Sequence, residues 1–365
     1  MIKAIVRKIW GLHLSHKFNM NGGSAMLVSN FYNDYKNHEA GLLATMRIHS
    51  RGFNVSDWKC MSLTKENYKS YLTTAQYYSM HPINGKFSKW IDDKLTLKYL
   101  LAGTPLDKYM PEYYMQIDEE GKLLPLPNLK EKDIIDVTSV VDLLIDKKEL
   151  AFKLIAGSIG EGFYKVEYVD DCIYVNGIVK TESEFIAFVE GLRNYIIIEY
   201  LHPHKMFEKF SPRTTNTIRY LAGRYDDGTM RMLKSYVRFG TEQSGFVENF
   251  NRGGVLCYIT HDGVFDNGYI LDMKSMKNLR IDEHPDTGAR LQGQIPLWNK
   301  IVEAVNEFAI YFPQLDYLGF DFVITSDNKV KMLEINSLTS LDGIQLVDSI
   351  FEHEAGDFYK KRILK

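Results

Sequence analysis

Apolar residues recur at mixed three- and four-residue spacings through the first third of the chain. SNFYNDYKNHEAGLLATMRIHSRG (29–52) and SDWKCMSLTKENYKSYLTTAQYY (56–78) both read as amphipathic helices with Ser, Asn or Asp near their starts. His81-Pro82-Ile83-Asn84-Gly85 marks a boundary. SKWIDDKLTLKYLLAG (88–103) then predicts a further helix stopping near Gly103, followed by an extended entry to a strand at Pro111. From about residue 150 the texture changes to short β-rich runs divided by turn signals: ELAFKLIAG, GFYKVEYVD, DCIYVNGIVK and NYIIIEYL. Asn176-Gly177 between apolar runs predicts a tight hairpin. TESEFIAFVEGLRN predicts a helix opened by a capping box from Thr181 to Glu184.

Further on, TIRYLAGRYDDGTMRMLKSYVRFG predicts two long strands joined at Asp226-Asp227-Gly228. GGVLCYITHDGVFDNGY predicts a hairpin turning at Asp262-Gly263. PLWNKIVEAVNEFAIYF predicts a helix with Pro296 near its start. YLGFDFVITSDNKVKMLEINS predicts a last hairpin turning near Asp327-Asn328. Antiparallel strands with helices between some of them argue for an α+β fold, not a doubly wound parallel sheet. The pattern divides the chain into a helical region over 1–80, a linking subdomain over 81–150, a small lobe over 151–201 and a large lobe over 202–365.

Composition narrows the class. The 365 residues are 45% hydrophobic and 25% charged, enough for a large core in two or three lobes. A net charge of −3 and a pI near 6.4 do not point to nucleic acid. The 23 Tyr and 20 Phe fill a core, or supply a stacking surface for sugars or bases. Cys60, Cys172 and Cys257 are scattered and odd in number, so no disulfide framework or zinc site is implied, and a cytoplasmic location is expected. The segment MIKAIVRKIWGLHLSHKF, interrupted by Lys3, Arg7 and Lys8, is neither a signal peptide nor a membrane span. It packs on the body or lies as a basic amphipathic helix on a membrane surface. No membrane span is expected anywhere.

Four stretches carry candidate chemistry. In GFDFVITSDNKVKMLEIN, a hairpin brings Asp321 near Glu334 and Asn336, and the last two share a strand face. Three oxygen donors among Phe320, Phe322, Leu333 and Ile335 suit Mg²⁺; the alternative is a solvated polar face. In ELAFKLIAGSIGEGFYKVEYV, Lys153 precedes Gly157, Ser158, Gly160 and Gly162. That is either a phosphate flap or a plain glycine hairpin, and it is not a P-loop. Glu199, Tyr200 and Leu201 end an apolar strand that could hold an adenine edge, with the acid on a ribose hydroxyl. Arg213, Asn216 and Arg219 follow; Arg219, within a strand, could meet phosphate or form a structural salt bridge. Lys234, Arg238 and NFNRGGV (249–255) are a fourth candidate, with Arg252 a possible phosphate contact and Gly253-Gly254 implying tight backbone geometry. His202 and His204 are not read as metal ligands. No nucleophile elbow or Cys–His pairing supports hydrolase chemistry.

The order of these parts resembles the ATP-grasp superfamily: IDDKLTLKYLL, a strand lysine with a Gly-rich flap, an acidic strand end, an arginine strand and a terminal D…ExN hairpin. Within that superfamily, PRTTNTIRYLAGR and GFDFVITSDNKVKMLEINSLTSLDGIQ resemble the sugar-transfer-associated ATP-grasp proteins, over roughly residues 80–350. The resemblance implies two α+β subdomains clasping ATP behind a helical N-terminal region. It implies that Lys94 and Lys153 contact ATP phosphates or the adenine region, that Gly157 to Gly162 close over the phosphates, and that Glu199, Tyr200 and Leu201 form the adenine strand. Arg219 would face the γ-phosphate or an acyl-phosphate, and Asp321, Glu334 and Asn336 would hold one or two Mg²⁺ ions. The implied activity is ATP-dependent joining of a carboxylate to an amine, the substrates being small molecules such as an amino acid and a sugar nucleotide or glycan. The expected setting is surface polysaccharide biosynthesis, with a phosphotransferase or a non-catalytic nucleotide-binding protein as alternatives.

Overall fold

The computed structural model describes residues 24–37, 40–129, 136–155, 162–212, 214–245 and 247–363, together with Ile9 and His16. The basic N-terminal segment and most of the glycine flap therefore lie outside the described residues. Helices and antiparallel sheets make up the described chain, an α+β fold.

The first sheet has seven strands: β1 (Tyr113–Ile117), β2 (Leu123–Pro125), β3 (Glu149–Leu154), β4 (Tyr164–Val169), β5 (Cys172–Val175), β6 (Ile178–Lys180) and β7 (Tyr195–Glu199). Their order is β2-β1-β7-β3-β4-β5-β6, every neighbouring pair antiparallel. The sheet thus draws strands from both sides of residue 150. Asn176 and Gly177, both at positive φ (50° and 76°), make the two-residue turn between Val175 and Ile178 that the Asn-Gly pair predicts. Helix Glu182–Gly191 carries the reciprocal Thr181–Glu184 cap, and with helix Val137–Lys147 it seals one face of this sheet through Phe185, Val189, Val140 and Leu144.

The second sheet contains β8 (Ile218–Arg224), β9 (Met230–Phe239), β10 (Val255–Tyr258), β12 (Gly268–Asp272), β13 (Lys277–Ile281), β15 (Tyr317–Ile324) and β16 (Val330–Asn336), in the order β13-β12-β10-β9-β8-β15-β16. The long β8–β9 and β15–β16 hairpins form as their patterns predict. The chain also turns at Asp262-Gly263, but the expected hairpin is not completed there. β11 (Val264–Phe265) leaves the sheet to pair with β14 (Gly293–Gln294), and β10 takes β12 as its neighbour. β12 meets β10 where Tyr269 lies opposite Leu256, and pairs along its five residues with β13. Helix Trp298–Tyr311 buries Trp298, Ile301, Val305 and Phe308 against one face.

The other face is closed by both ends of the described chain. Phe53, Val55, Leu72 and Tyr77 from the N-terminal helices meet Leu221, Leu233 and Tyr317 of the sheet and Phe358 and Tyr359 of helix Gly356–Ile363. Asn84, 4% exposed, fastens the junction: its amide nitrogen donates to Tyr317 O (2.7 Å), and its oxygen accepts from the backbone of Asp316 and Tyr317 (2.8 and 2.9 Å).

The stretch expected as one helix over 88–103 is two, Lys89–Asp92 and Lys94–Leu101. Asp93 breaks it by capping the second, accepting from Thr96 N at 2.7 Å, because a short carboxylate at a helix start satisfies an orphan amide better than it serves a helix interior. The break frees Asp92 to accept from Ser337 N (2.8 Å) and Oγ (2.6 Å), just past the end of β16, and sets Lys94 beside that strand. No helix among the described residues is long and apolar enough to cross a membrane.

Asn84→Ala strands three buried hydrogen-bonding groups and is expected to cost about 2–4 kcal/mol. Urea denaturation of purified protein measures it; a loss under 0.5 kcal/mol would show that this junction is not a structural tie.

Candidate active site

Where the two sheets face each other, a cavity of about 670 Å³ is lined by β3 and β7 on one side and by β8, β9, β15 and β16 on the other. The end of the β15–β16 hairpin forms its floor. Asp321 lies opposite Glu334 and Gly319 opposite Asn336, with a bulge after Asp321. Glu334 and Asn336, two apart, leave the same face, and the Asn336 amide nitrogen reaches Glu334 Oε1 at 3.4 Å. The three oxygen donors therefore gather as the hairpin pattern predicts, and all three line the cavity.

They are not equivalent. Asp321, 3% exposed, accepts a two-pronged contact from Arg219 (Nε to Oδ1 2.6 Å, Nη2 to Oδ2 2.9 Å), and Arg238 Nη2 adds a third at 3.0 Å to Oδ1. Burial alone would push its carboxyl up; the charge of Arg219 and then of Arg238 overcomes that and holds it at about 2. The same carboxylate keeps Arg219 protonated, its pKa raised against the opposing effect of burial. A carboxylate has about four lone-pair positions, and three here are engaged. Glu334 is the less encumbered acid, with Lys94 Nζ at 3.4 Å from Oε2 and a third of its side chain exposed to the cavity.

Among the described residues no cluster of three or more His, Cys, Asp or Glu is arranged to hold a metal. The donor set instead is two carboxylates and one carboxamide, hard oxygen donors of the kind that suits Mg²⁺ shared with phosphate and water. On this chemistry Glu334 and Asn336 fit as protein donors. Asp321 is engaged by both arginines and also meets the Glu334 side chain.

From the first sheet, Lys153 of β3 enters the same cavity, with Glu199, Tyr200 and Leu201 at the end of β7 beside it. Burial pushes the Lys153 ammonium down to about 8, with Glu334 drawing it back up and Lys94 opposing. The Glu199 carboxylate accepts from Glu112 N at 3.1 Å, which fixes its position at the strand end. Gly162 has positive φ (66°), whereas Gly157, Ser158 and Gly160, like Arg213, lie outside the described residues.

Other sequence candidates fall elsewhere. Asn216 is buried, its amide donating to Ser211 O (2.8 Å) and Thr214 O (3.0 Å), a loop brace. Lys234 lines a separate cavity and faces Asp348 at 3.5 Å. Arg252 is exposed. His202 bonds Glu149, and His204 caps helix Lys205–Glu208. The sequence reading missed Asp92, Thr217, Glu248 and Asp342, all on the cavity wall. The first lay inside an apparently continuous helix. Thr217 and Glu248 come from a strand edge and a loop, and Asp342 from the first turn of the short helix Leu341–Gln345, positions whose direction no periodicity reveals.

The chain matches the family described as sugar-transfer associated ATP-grasp over residues 73–353, and so is an ATP-grasp protein in fold. It belongs to that sugar-transfer associated family. No curated protein matches it. Among solved structures, D-alanyl-alanine synthetase A from Vibrio cholerae is similar at 12% identity and a TM-score of 0.43, over 75% of this chain and 65% of that one. The ATP-grasp ligase PsnB, complexed with a phosphomimetic variant of its minimal precursor, Mg and ADP, gives 13% and 0.41 over 76% and 61%. The ADP complex of PurK, N5-carboxyaminoimidazole ribonucleotide synthetase, gives 8% and 0.38 over 69% and 46%. The chain thus spans less than two thirds of the length of each.

A polyphosphate bound beside Lys153 stabilises its charged form. At pH 8, where the ammonium is about half ionised, MgATP binding is expected to take up protons, the uptake persisting toward the ordinary lysine value of 10.5 and vanishing below pH 7. Calorimetry in buffers of differing ionisation enthalpy reads this directly. Identical uptake in Lys153→Met would assign the proton to another group.

Proposed function

We propose that this protein is an ATP-dependent carboxylate–amine ligase working through an acyl-phosphate, joining an amino acid and a sugar in the cytoplasm for a surface polysaccharide. The observation carrying this reading is one cavity in which cations from the first sheet (Lys153) and the preceding helix (Lys94) face Glu334 and Asn336 of the second, over a floor of paired arginines.

Lys94 and Lys153 neutralise the triphosphate. Glu199, Tyr200 and Leu201 cradle the nucleoside, and the flap containing Gly157, Ser158, Gly160 and Gly162 covers the phosphates. Glu334 and Asn336, with what remains of Asp321, hold Mg²⁺, which when bound supplies charge neutralisation at the phosphates. Arg219 and Arg238, pinned by Asp321, present cationic edges to the transferring phosphoryl group and to the donor carboxylate. Phosphoryl transfer to a carboxylate needs alignment and charge neutralisation more than covalent help from the protein, and this cavity offers both. An acyl-phosphate hydrolyses in water, so a site between two sheets gives it the exclusion it requires.

A screen for ADP release across amino acids and uronic-acid sugars, each with an amine acceptor, tests the reading. An amide product supports it; a phosphorylated alcohol in its place makes the protein a phosphotransferase. Glu334→Gln is expected to lower turnover roughly a hundredfold or more with the fold intact by circular dichroism. Full activity in that variant overturns the metal assignment.

A further inference from the structure

The dipeptide Gly253-Gly254 and the acid just upstream of it are left unused by the mechanism above. The loop from Glu248 to Gly254 is built tightly. The Asn249 side chain accepts from Asn251 N at 2.8 Å, and a 3₁₀ turn runs Phe250–Arg252. Gly253 closes that turn at φ 95°, and Gly254 N donates back to Asn249 O at 3.0 Å. A β-carbon on Gly254 would stand 2.4 Å from the carbonyl oxygen of Glu248. Any larger residue therefore displaces the Glu248 backbone, so the glycine sets where this acid stands.

It stands against the cavity. Thr217 Oγ1 donates to Glu248 Oε1 at 2.8 Å while accepting from Arg238 Nε (3.1 Å) and Nη2 (2.5 Å). The threonine proton is thereby committed to Glu248, and one carboxylate oxygen is fixed. No hydrogen-bond partner for Oε2 is found among the described residues. The charge of Glu248 is felt at Lys153 and Tyr200, from the first sheet and its exit, and at Arg238 of β9. A single carboxylate thus lines the cavity that both sheets share, joined to Arg238 through Thr217.

We infer that Glu248 receives the acceptor amine: it binds the substrate ammonium as counter-ion and takes a proton from the nitrogen as the amide forms. The inference rests on the ligase reading. Glu248 Oε2 first takes one proton from the ammonium; the lone pair so freed attacks the acyl carbon, the C–N bond forms and the C–O bond to phosphate breaks with its electron pair leaving on phosphate. Of the two protons the nitrogen sheds, one goes to Glu248 Oε2 and the other leaves on phosphate. The acceptor is by this account a cationic primary amine, an amino sugar or an amino acid, and not a hydroxyl or an amide.

Hydroxylamine separates the two claims, because it is far less basic than an aliphatic amine and mostly uncharged at neutral pH. Wild type and Glu248→Gln are assayed at pH 7 with MgATP, a panel of amino acids and uronic acids as donors, and either hydroxylamine or glucosamine and glycine as acceptors. The expected result for Glu248→Gln is a loss of roughly 10²–10³-fold with the aliphatic amines. Hydroxamate formation changes less than about threefold, and the amine reaction recovers as pH rises and the free amine accumulates. Gly254→Ala, checked for an unchanged melting temperature, shows the same split. Equal losses with both nucleophiles, or an unchanged rate with the aliphatic amines, overturn the role of Glu248. Wild-type protein that yields no hydroxamate from any donor removes the ligase reading and this role with it.

Discussion

A buried carboxylate held by two guanidinium groups governs this molecule. Asp321 sits in the middle of a sheet whose neighbouring positions are fully buried, and its charge is tolerable there because Arg219 and Arg238 surround it. The arginines are equally dependent on the acid: without it, two cations would face each other between β8 and β9 in low dielectric. Arg219, Arg238 and Asp321 together leave one positive charge, and Lys94 and Lys153 add two from other elements, against the carboxylates of Asp92, Glu199, Glu248, Glu334 and Asp342 on the same cavity wall. Burial, aided by Lys94 and opposed by Glu334, depresses the Lys153 ammonium where it stands against the cavity.

Alternation and turn chemistry made most of the fold legible in the sequence. The Asn176-Gly177 turn, the Thr181 capping box, the β8–β9 pair and the Asp321–Asn336 hairpin all depend on contacts between near neighbours, and local signals record such contacts well. The failures have tertiary causes. The break at Asp93 is hidden because IDDKLTLKYLL has helical apolar spacing throughout; the Asp93 cap makes two helices of it, and the contact of Asp92 with Ser337, more than two hundred positions away, holds them apart. The Asp262-Gly263 turn was read correctly, but the destination of Val264–Phe265 depends on a partner thirty residues on.

The site was legible for a different reason. Glu334 and Asn336 share a strand face whatever the rest of the chain does, and Asp321 follows from the hairpin register. The division of labour among them was not legible, since it depends on Arg238 crossing from β9 to a carboxylate that the sequence pairs with Arg219 no better than with any other cation. Thr217 and Glu248 were invisible on the same grounds. A hydroxyl and a loop acid acquire meaning only once the β9–β10 connection is folded over the cavity.

The sheet face sealed by Phe53 and Tyr77 together with Phe358 and Tyr359 has a kinetic consequence. These rings lie far apart in the sequence, so the layer cannot close until helix Gly356–Ile363 has been synthesised. The first sheet, drawn from positions 113–199, pairs mostly with itself and pays a smaller loop-closure cost. Assembly during translation is therefore ordered, with the small β-layer formed early and the face beneath Leu221 and Leu233 left open until helix Gly356–Ile363 arrives.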